Sequence, residues 1–152
     1  MRKKISSNSP EETHQIAKAF LKMILSQVKS IPRQALVISL EGNLGSGKTE
    51  FLKGVAQATK MKTKIFSPTF VIMKRFPINH KFIKFLWHLD CYRLKNINDL
   101  QELGFTDIVN NPQNIVFIEW GNKIKRFLPK NHWMIKFKIK GENERLLELE
   151  IP

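Results

Sequence analysis

Cysteine and acidic residues are scarce in this chain of 152 residues, and long hydrophobic runs are absent from it. The single cysteine, Cys91, excludes an internal disulfide framework and favours a reducing, cytoplasmic location. Because no apolar run approaches the length of a membrane span, no transmembrane helix is expected. The basic N-terminus is followed by polar residues instead of an apolar segment, so no secretory signal peptide is predicted. The length favours a single domain over residues 1–152 with one hydrophobic core.

Acidic residues are half as numerous as basic ones. There are 13 Asp and Glu against 26 Lys and Arg, which gives a formal net charge of +13. A charge this large favours a polyanionic partner, such as a nucleotide, an RNA or an acidic protein. The lysines are scattered along the chain instead of clustered, so an ordinary solvated basic surface explains the charge equally well.

The most informative stretch is a glycine-rich segment at residues 42–49, which matches the P-loop pattern G-x-x-x-x-G-K-[ST]. An apolar β-type stretch at 35–40 precedes it and a helical pattern follows it, which is the context that a P-loop requires. Glycines let successive backbone N–H groups surround a phosphate, and the helix N-terminus adds partial positive charge. Lys48 is predicted to reach the β- and γ-phosphates, and the Thr49 hydroxyl to contact Mg²⁺. The loop residues predicted to bind the nucleotide are Asn43, Leu44, Gly45, Ser46, Gly47, Lys48 and Thr49.

The remaining patterns predict an α/β fold. A helix is expected to begin with Ser9 as N-cap, Pro10 in the first turn and Glu12 closing a capping box, and to end at about residue 31. The helix after the P-loop is expected to reach about residue 59. Further along the chain, the patterns predict an antiparallel hairpin (70–77 and 82–89), a short helix (96–103), a buried strand (114–120), a second short helix (122–128) and a terminal hairpin (133–140 and 145–151).

Two carboxylates stand at the ends of apolar strands, where open α/β sheets bind their ligands. Glu119 ends a strand predicted to be parallel and central, so it is the better candidate for Mg²⁺, directly or through a water. Asp90 is expected either to share the surroundings of the metal or to position an attacking water. The alternative for each carboxylate is an ion pair at the protein surface.

Several other residues have both a functional and an ordinary interpretation. Thr69, which follows a proline, is a candidate γ-phosphate sensor or a turn residue at the start of a strand. His88 is of a type that titrates near neutral pH, but a single histidine at a strand end is more often structural. Arg93 fits a phosphate contact or a carboxylate pair, whereas Trp87 and Trp120 fit core or interface anchors.

Short motifs follow one another in a fixed order across most of the chain. They are Thr13 in the first helix, the loop ending at Thr49, the run Ser67-Pro68-Thr69-Phe70, the run His88-Leu89-Asp90-Cys91-Tyr92-Arg93, the pair Glu119-Trp120, and Arg145 in the last strand. In this order and spacing they resemble the TsaE (YjeE) family, bacterial P-loop ATPases required for threonylcarbamoyladenosine formation on tRNA. Asn43 departs from the family pattern, where aspartate is common, as does Gly121, where proline is common. Neither departure removes a phosphate or metal ligand.

The resemblance implies a three-layer P-loop fold with a mixed, mainly parallel sheet and antiparallel hairpins. It implies ATP at the loop, Mg²⁺ held by Thr49 and Glu119, and Thr13 near the nucleotide base. Lys48 and the loop amides would stabilise charge on the γ-phosphoryl group, while Asp90 or Thr69 orients the attacking water. The family acts with the TsaB–TsaD pair, which carries the threonylcarbamoyl-transfer site, so a weak or partner-dependent ATPase is expected. Contact of the basic surface with tRNA is a further expectation.

Two other classes of function use the same loop. A small-molecule kinase needs an acceptor pocket and usually an arginine-rich lid, whereas the corresponding stretch here is an apolar hairpin with few arginines. Release of phosphate without a phosphorylated acceptor would distinguish an ATPase from such a kinase. A nucleotide-gated binding subunit or an RNA-binding module would use the loop and the basic charge without turnover. Hydrolysis that never recycles, or tRNA binding unaffected by nucleotide, would favour this second class.

Overall fold

The computed structural model describes residues 1–59 and 73–152 of the chain. Helices are interspersed among the strands of these residues, as expected of an α/β protein. The strands are β1 (Arg2–Ser7), β2 (Leu36–Glu41), β3 (Met73–Pro77), β4 (Phe85–Asp90), β5 (Asn114–Glu119), β6 (Trp133–Ile139) and β7 (Arg145–Glu150). The α-helices are α1 (Pro10–Ser26), α2 (Lys48–Ala58), α3 (Ile97–Glu102) and α4 (Phe105–Asn110), and a 3-10 helix covers Gly121–Phe127.

One mixed sheet contains all the described strands, in the order β1-β7-β6-β2-β5-β4-β3. The four central strands, β6, β2, β5 and β4, run parallel to one another. Antiparallel pairing extends the sheet at both ends, with β3 added to β4, and with β7 and then β1 added to β6. The predicted mixed sheet, parallel at its centre and with antiparallel hairpins, is therefore confirmed.

Helices cover both faces of this sheet and so form three layers. Alternate residues of a strand point to opposite faces. In β2, Ile38 and Leu40 pack into a cluster with α1 and α2, whereas Val37 packs into a second cluster with α3, α4 and the 3-10 helix. In β5, Phe117 joins the first cluster and Ile118 the second. The central strands are thus buried on both faces, as their nearly continuous apolar sequences predict.

The first helix begins where the sequence predicts and ends earlier. The Ser9 hydroxyl accepts a hydrogen bond from the backbone N–H of Glu12 at 3.1 Å, and Pro10 occupies the first turn. The Glu12 carboxylate accepts from the backbone N–H of Asn8 at 2.7 Å instead of that of Ser9, so the capping box is shifted by one residue. The helix ends at Ser26, although Val28 beyond it still packs against the core. The apolar pattern therefore extends further than the helix that it predicts.

The sequence patterns do not predict β1 or α4. β1 is short and basic, and it forms through backbone pairing with β7, which places Arg2 opposite Glu150 and Lys4 opposite Glu148. α4 follows a left-handed turn at Gly104 and buries three of its apolar residues, Phe105, Ile108 and Val109, against the sheet. Both elements depend on tertiary contacts, which a local pattern does not contain.

The antiparallel hairpin is confirmed where the structure describes it. β3 pairs with β4 from Met73 opposite Leu89 to Pro77 opposite Phe85. Residues 70–72 of the predicted hairpin lie outside the described residues. The helix predicted over 122–128 is a 3-10 helix with a kink at Ile124. Among residues 1–59 and 73–152, no helix combines the length and the apolar character needed to cross a membrane.

Candidate functional site

The P-loop connects β2 to α2 at the carboxyl edge of the parallel strands. Gly45 and Gly47 have φ values of +75° and +105°, a left-handed conformation that residues with a side chain rarely adopt. Gly47 is also the N-cap of α2, so the unpaired N–H groups of the first helical turn adjoin the loop. The loop and the helix together offer backbone donors and partial positive charge to an anion.

Lys48 is folded back onto the loop. Its ammonium donates hydrogen bonds to the carbonyl oxygens of Gly42 at 2.7 Å and Asn43 at 3.0 Å. The same nitrogen lies 4.4 Å from the centre of the Trp120 ring. Burial lowers the pKa of Lys48, whereas the nearby carboxylates of Glu119 and Asp90 act in the opposite direction and favour its charged form. A cationic group is thus held inside the loop, within reach of an anion bound there.

Glu119 is buried at the end of β5, with 3% of its surface exposed. One carboxylate oxygen lies 3.4 Å from the Thr49 hydroxyl, which donates to it, and the other lies 2.8 Å from Nε2 of His88. The alternative interpretation of Glu119 as a member of a surface ion pair is therefore wrong. His88 is equally buried, at 1% exposure, and its role is tied to this carboxylate.

The oxygens of Thr49 and Glu119 suit a small, hard cation such as Mg²⁺. Among the residues that the structure describes, no three His, Cys, Asp or Glu side chains form a cluster that could hold a metal ion. A divalent cation at this place would thus need further oxygen ligands from outside the protein. Mg²⁺ is commonly bound in this way, through one or two protein ligands together with phosphate oxygens and water.

Asp90 ends β4 directly beside Glu119, because the parallel register pairs these two residues. One Asp90 oxygen accepts a hydrogen bond from the backbone N–H of Tyr92 at 2.9 Å, which shapes the turn after the strand. Asp90 is half-buried and close enough to Lys48 to oppose the lowering of its pKa. The prediction that both carboxylates lie at one edge of the sheet beside the P-loop agrees with this placement.

A cavity of about 290 Å³ lies between the P-loop, the start of α1 and the ends of β4 and β5. Asn43 is not part of its lining, and instead directs its carbonyl oxygen at Lys48 from an exposed part of the loop. Thr69 lies outside the described residues. The lining residues that the sequence predicts as site residues are Thr13, Leu44, Gly45, Ser46, Gly47, Lys48, Thr49, Asp90 and Glu119.

Thr13 forms part of the cavity wall from the first turn of α1. Its hydroxyl lies 2.8 Å from the Ser7 hydroxyl and donates to the Ser9 carbonyl at 3.3 Å. These bonds join the end of β1 to the start of α1. The placement leaves Thr13 as a candidate contact for the nucleotide base, with a hydroxyl that already has partners inside the protein.

A family model described as "Threonylcarbamoyl adenosine biosynthesis protein TsaE" matches residues 7–147 of the chain. The chain belongs to the TsaE family. The family assignment made from the sequence motifs is therefore confirmed. TsaE proteins function in the biosynthesis of threonylcarbamoyladenosine in tRNA.

Individual TsaE relatives cover most of the chain. The tRNA threonylcarbamoyladenosine biosynthesis protein TsaE of Bacillus subtilis strain 168 is 32% identical over 137 residues, which cover 90% of this chain and 78% of the relative. The TsaE protein of Rickettsia felis is 33% identical over 143 residues, which cover 93% of this chain and 76% of the relative. A crystal structure of YdiB from Bacillus subtilis matches with a TM-score of 0.68 at 27% identity, covering 99% of this chain and 86% of that one.

The cavity also contains residues to which the sequence patterns assign no role in the site. Trp120 has a left-handed backbone with φ of 60°, which places its ring over Lys48 and 5.0 Å from the ring of Tyr92. Arg145 donates to the Gly45 carbonyl of the P-loop at 3.2 Å and to the Gly141 carbonyl at 3.0 Å. Trp120 and Arg145 belong to the TsaE motif pattern, which is the only sequence signal that could have pointed to them. Local patterns cannot relate Arg145 to a loop 100 residues away.

Proposed function

We propose that this TsaE protein is an Mg²⁺-dependent ATPase that supports threonylcarbamoyladenosine modification of tRNA together with a TsaB–TsaD pair. One observation carries the proposal. Lys48, Thr49, Asp90 and Glu119 come from three separate segments and surround one cavity at the P-loop. P-loop nucleotide hydrolysis requires this combination of a cation, a metal-binding hydroxyl and carboxylates.

The proposed reaction is attack of water on the γ-phosphoryl group of ATP. Its transition state carries charge on the equatorial phosphoryl oxygens, so positioned donors and cations lower the barrier. The Lys48 ammonium would leave the Gly42 and Asn43 carbonyls and donate to these oxygens. The backbone N–H groups of the loop and of the first turn of α2 would donate to the remaining phosphate oxygens.

Asp90 is the proposed orienting group for the attacking water. It lies at the cavity beside Glu119, and one of its oxygens accepts the bond from the backbone N–H of Tyr92 that fixes the turn. A carboxylate in this place would accept a hydrogen bond from the water and direct its lone pair at phosphorus. Thr69 keeps the same proposed role, which no described residue tests.

Thr49 and Glu119 are the proposed ligands of Mg²⁺. These two residues would hold the ion, whose chemistry when bound would be to supply positive charge to the phosphate oxygens on which negative charge develops. The protein contributes the Thr49 hydroxyl and one oxygen of Glu119, which already face each other. Chelation of Mg²⁺ should therefore weaken ATP binding as well as hydrolysis.

The proposal is tested by phosphate release from ATP for the parent and for Lys48→Ala and Glu119→Gln. Each variant should lose about 100-fold or more of the activity, the scale of a lost charge-stabilising group in a transition state. Lys22→Ala, which removes an exposed lysine of α1, is the matched control for loss of one positive charge. Hydrolysis in Lys48→Ala at the rate of Lys22→Ala would contradict the proposal.

The partner is tested separately by pull-down of TsaB and TsaD with and without ATP. Capture that depends on the nucleotide, and phosphate release that rises when TsaB and TsaD are added, are the expected results. Adding tRNA to the same experiment tests whether the basic surface contributes a direct contact. An ATPase that neither binds nor responds to TsaB–TsaD would retain the proposed chemistry and contradict the proposed partner.

A further inference from the structure

The His88–Glu119 pair has a geometry that the proposed chemistry does not by itself explain. His88 lies on β4 and Glu119 on β5, two parallel neighbours in which His88 is opposite Phe117 and Asp90 is opposite Glu119. His88 and Glu119 both point to the α2 face of the sheet, where their side chains meet at 2.8 Å. This contact crosses between strands inside the protein, since the two side chains are only 1% and 4% exposed.

The two oxygens of the Glu119 carboxylate have different partners. Oε2 accepts from His88, whereas Oε1 lies 3.4 Å from the Thr49 hydroxyl at the cavity. Because the carboxylate is planar, holding one oxygen at a fixed place also fixes the plane and the position of the other. A buried carboxylate without such a donor would be destabilised in its charged form and free to rotate.

The other ring nitrogen of His88 shows which tautomer makes the bond. Nδ1 is buried and has no hydrogen-bond partner among the described residues. A buried N–H without an acceptor is rarer in proteins than an underused acceptor. We therefore assign the proton to Nε2, where it is donated to Glu119, and leave a lone pair on Nδ1.

From these contacts we propose that His88 is a positioning residue for Glu119. It would hold the carboxylate so that Oε1 is directed at the proposed Mg²⁺ site beside Thr49. The inference rests on the proposed function, because it assumes that Glu119 and Thr49 bind the ion. Groups that orient a metal ligand from behind typically change metal affinity 10- to 100-fold when they are removed. His88 should thus govern the affinity for Mg²⁺ without contacting either the ion or the nucleotide.

Two amide substitutions distinguish a role of His88 in orienting Glu119 from a purely structural role in filling the core. His88→Gln places an amide N–H as many bonds from Cβ as Nε2 of histidine, so it can still reach Glu119. His88→Asn places the amide at the shorter reach of Nδ1 and cannot. Both variants bury one amide in the same place, so a purely structural role predicts similar behaviour for the two.

The experiment measures binding of a non-hydrolysable ATP analogue with Mg²⁺ and with EDTA, for parent, His88→Gln and His88→Asn. We expect His88→Asn to weaken the apparent affinity for Mg²⁺ by about 10- to 100-fold. His88→Gln should retain most of the parent affinity for Mg²⁺. The affinity for the ATP analogue in EDTA should be the same in all three proteins. Equal Mg²⁺ affinity in parent and His88→Asn would overturn the inference, as would an equal loss in His88→Gln and His88→Asn. A parallel loss of affinity in EDTA would also overturn it.

The parent protein gives a second measurement, which needs no variant to fold. Long-range ¹H–¹⁵N NMR of the imidazole should show the proton of His88 on Nε2, and a proton on Nδ1 with a bare Nε2 would overturn the inference. Failure of the proposed function has a different signature. In that case the parent itself would bind the analogue equally well with Mg²⁺ and with EDTA, whatever the tautomer of His88.

Discussion

Gly54 lies at a close approach between α1 and α2, and it offers a sharp test of how this packing supports the site. A Cβ atom added at Gly54 would lie 2.6 Å from Cα of His14, 2.7 Å from its carbonyl oxygen and 2.8 Å from Cβ of Ala17. None of these atoms belongs to the end of a flexible side chain, so the two helices must separate to admit it. Gly54→Ala should therefore disturb the whole helix pair.

The size of the effect follows from two opposing contributions. Overpacking a well-packed core typically costs about 1–3 kcal/mol. Alanine is favoured over glycine inside a helix by about 1 kcal/mol. With contacts this short we expect the cost to be at the upper end, which leaves a net destabilisation of about 1–2 kcal/mol. For a chain of this size that lowers the unfolding midpoint by roughly 2–8 °C.

Thermal unfolding followed by circular dichroism measures this shift, and nucleotide titration measures its consequence. α1 contributes Thr13 to the cavity and α2 begins with Lys48, so separating the helices should also weaken binding of ATP. Gly141→Ala is the matched control, because an added Cβ there meets only ordinary contacts with Glu144, at 3.5 and 3.8 Å. A Gly54→Ala protein that unfolds at or above the parent midpoint would refute the reasoning.

Other contacts lead to independent predictions. Arg145→Ala should weaken ATP binding roughly two- to tenfold, the scale of about 0.5–1.5 kcal/mol for one hydrogen bond, because the Gly45 carbonyl of the P-loop loses its bond to the Arg145 side chain. Isothermal titration calorimetry measures the affinity for ATP, and an unchanged affinity would contradict the prediction. ATP should change the tryptophan fluorescence of the parent, because Lys48 moves away from the ring of Trp120 when it binds phosphate. The Trp120→Phe variant should not show this fluorescence change, and a response equal to that of the parent would contradict the prediction. Hydrogen bonding to Lys138 lowers the pKa of Glu148, so its stabilisation is present at neutral pH and is lost as the pH falls through that lowered pKa. Urea unfolding should show Glu148→Gln less stable than the parent at neutral pH and equally stable in acid, and a difference that persists in acid would contradict the assignment.

The parts of the fold that follow from sequence are those fixed by local patterns. The apolar strands β2 and β5 and the P-loop between β2 and α2 have unambiguous signatures, because burial on both faces and close backbone approach each require particular residues. β1 has no such signature. Its formation depends on β7, about 140 residues away, and on pairing that places Lys4 opposite Glu148.

In the candidate site, too, some features follow from local sequence patterns and others depend on contacts between distant residues. The P-loop places Lys48 from sequence alone, and the end of a strand predicted to be parallel places Glu119, because the carboxyl ends of parallel strands share the edge where ligands bind. For Asp90 the sequence predicts only an acid at the end of an apolar hairpin strand, and its place opposite Glu119 depends on the parallel pairing of β4 with β5. The proximity of His88 and Glu119 requires the strand register, which only the three-dimensional structure supplies. The small residue after Trp120 also has a spatial reason. A side chain at Gly121 would collide with Ser39 on β2, whose Cβ lies only 2.9 Å from the place of the added atom.

The two sides of the site differ in how far they are prepared for a nucleotide. Glu119 already holds one oxygen beside Thr49, whereas Lys48 donates to the carbonyls of Gly42 and Asn43 and must exchange them for phosphate oxygens. Hydrogen bonds to charged groups contribute about 1.5–3 kcal/mol each, so this exchange consumes part of the energy of phosphate binding. Energy consumed in rearranging the protein is not available for lowering the barrier. We therefore expect slow hydrolysis by the isolated chain, and faster hydrolysis when a partner stabilises the arrangement in which Lys48 faces the phosphates.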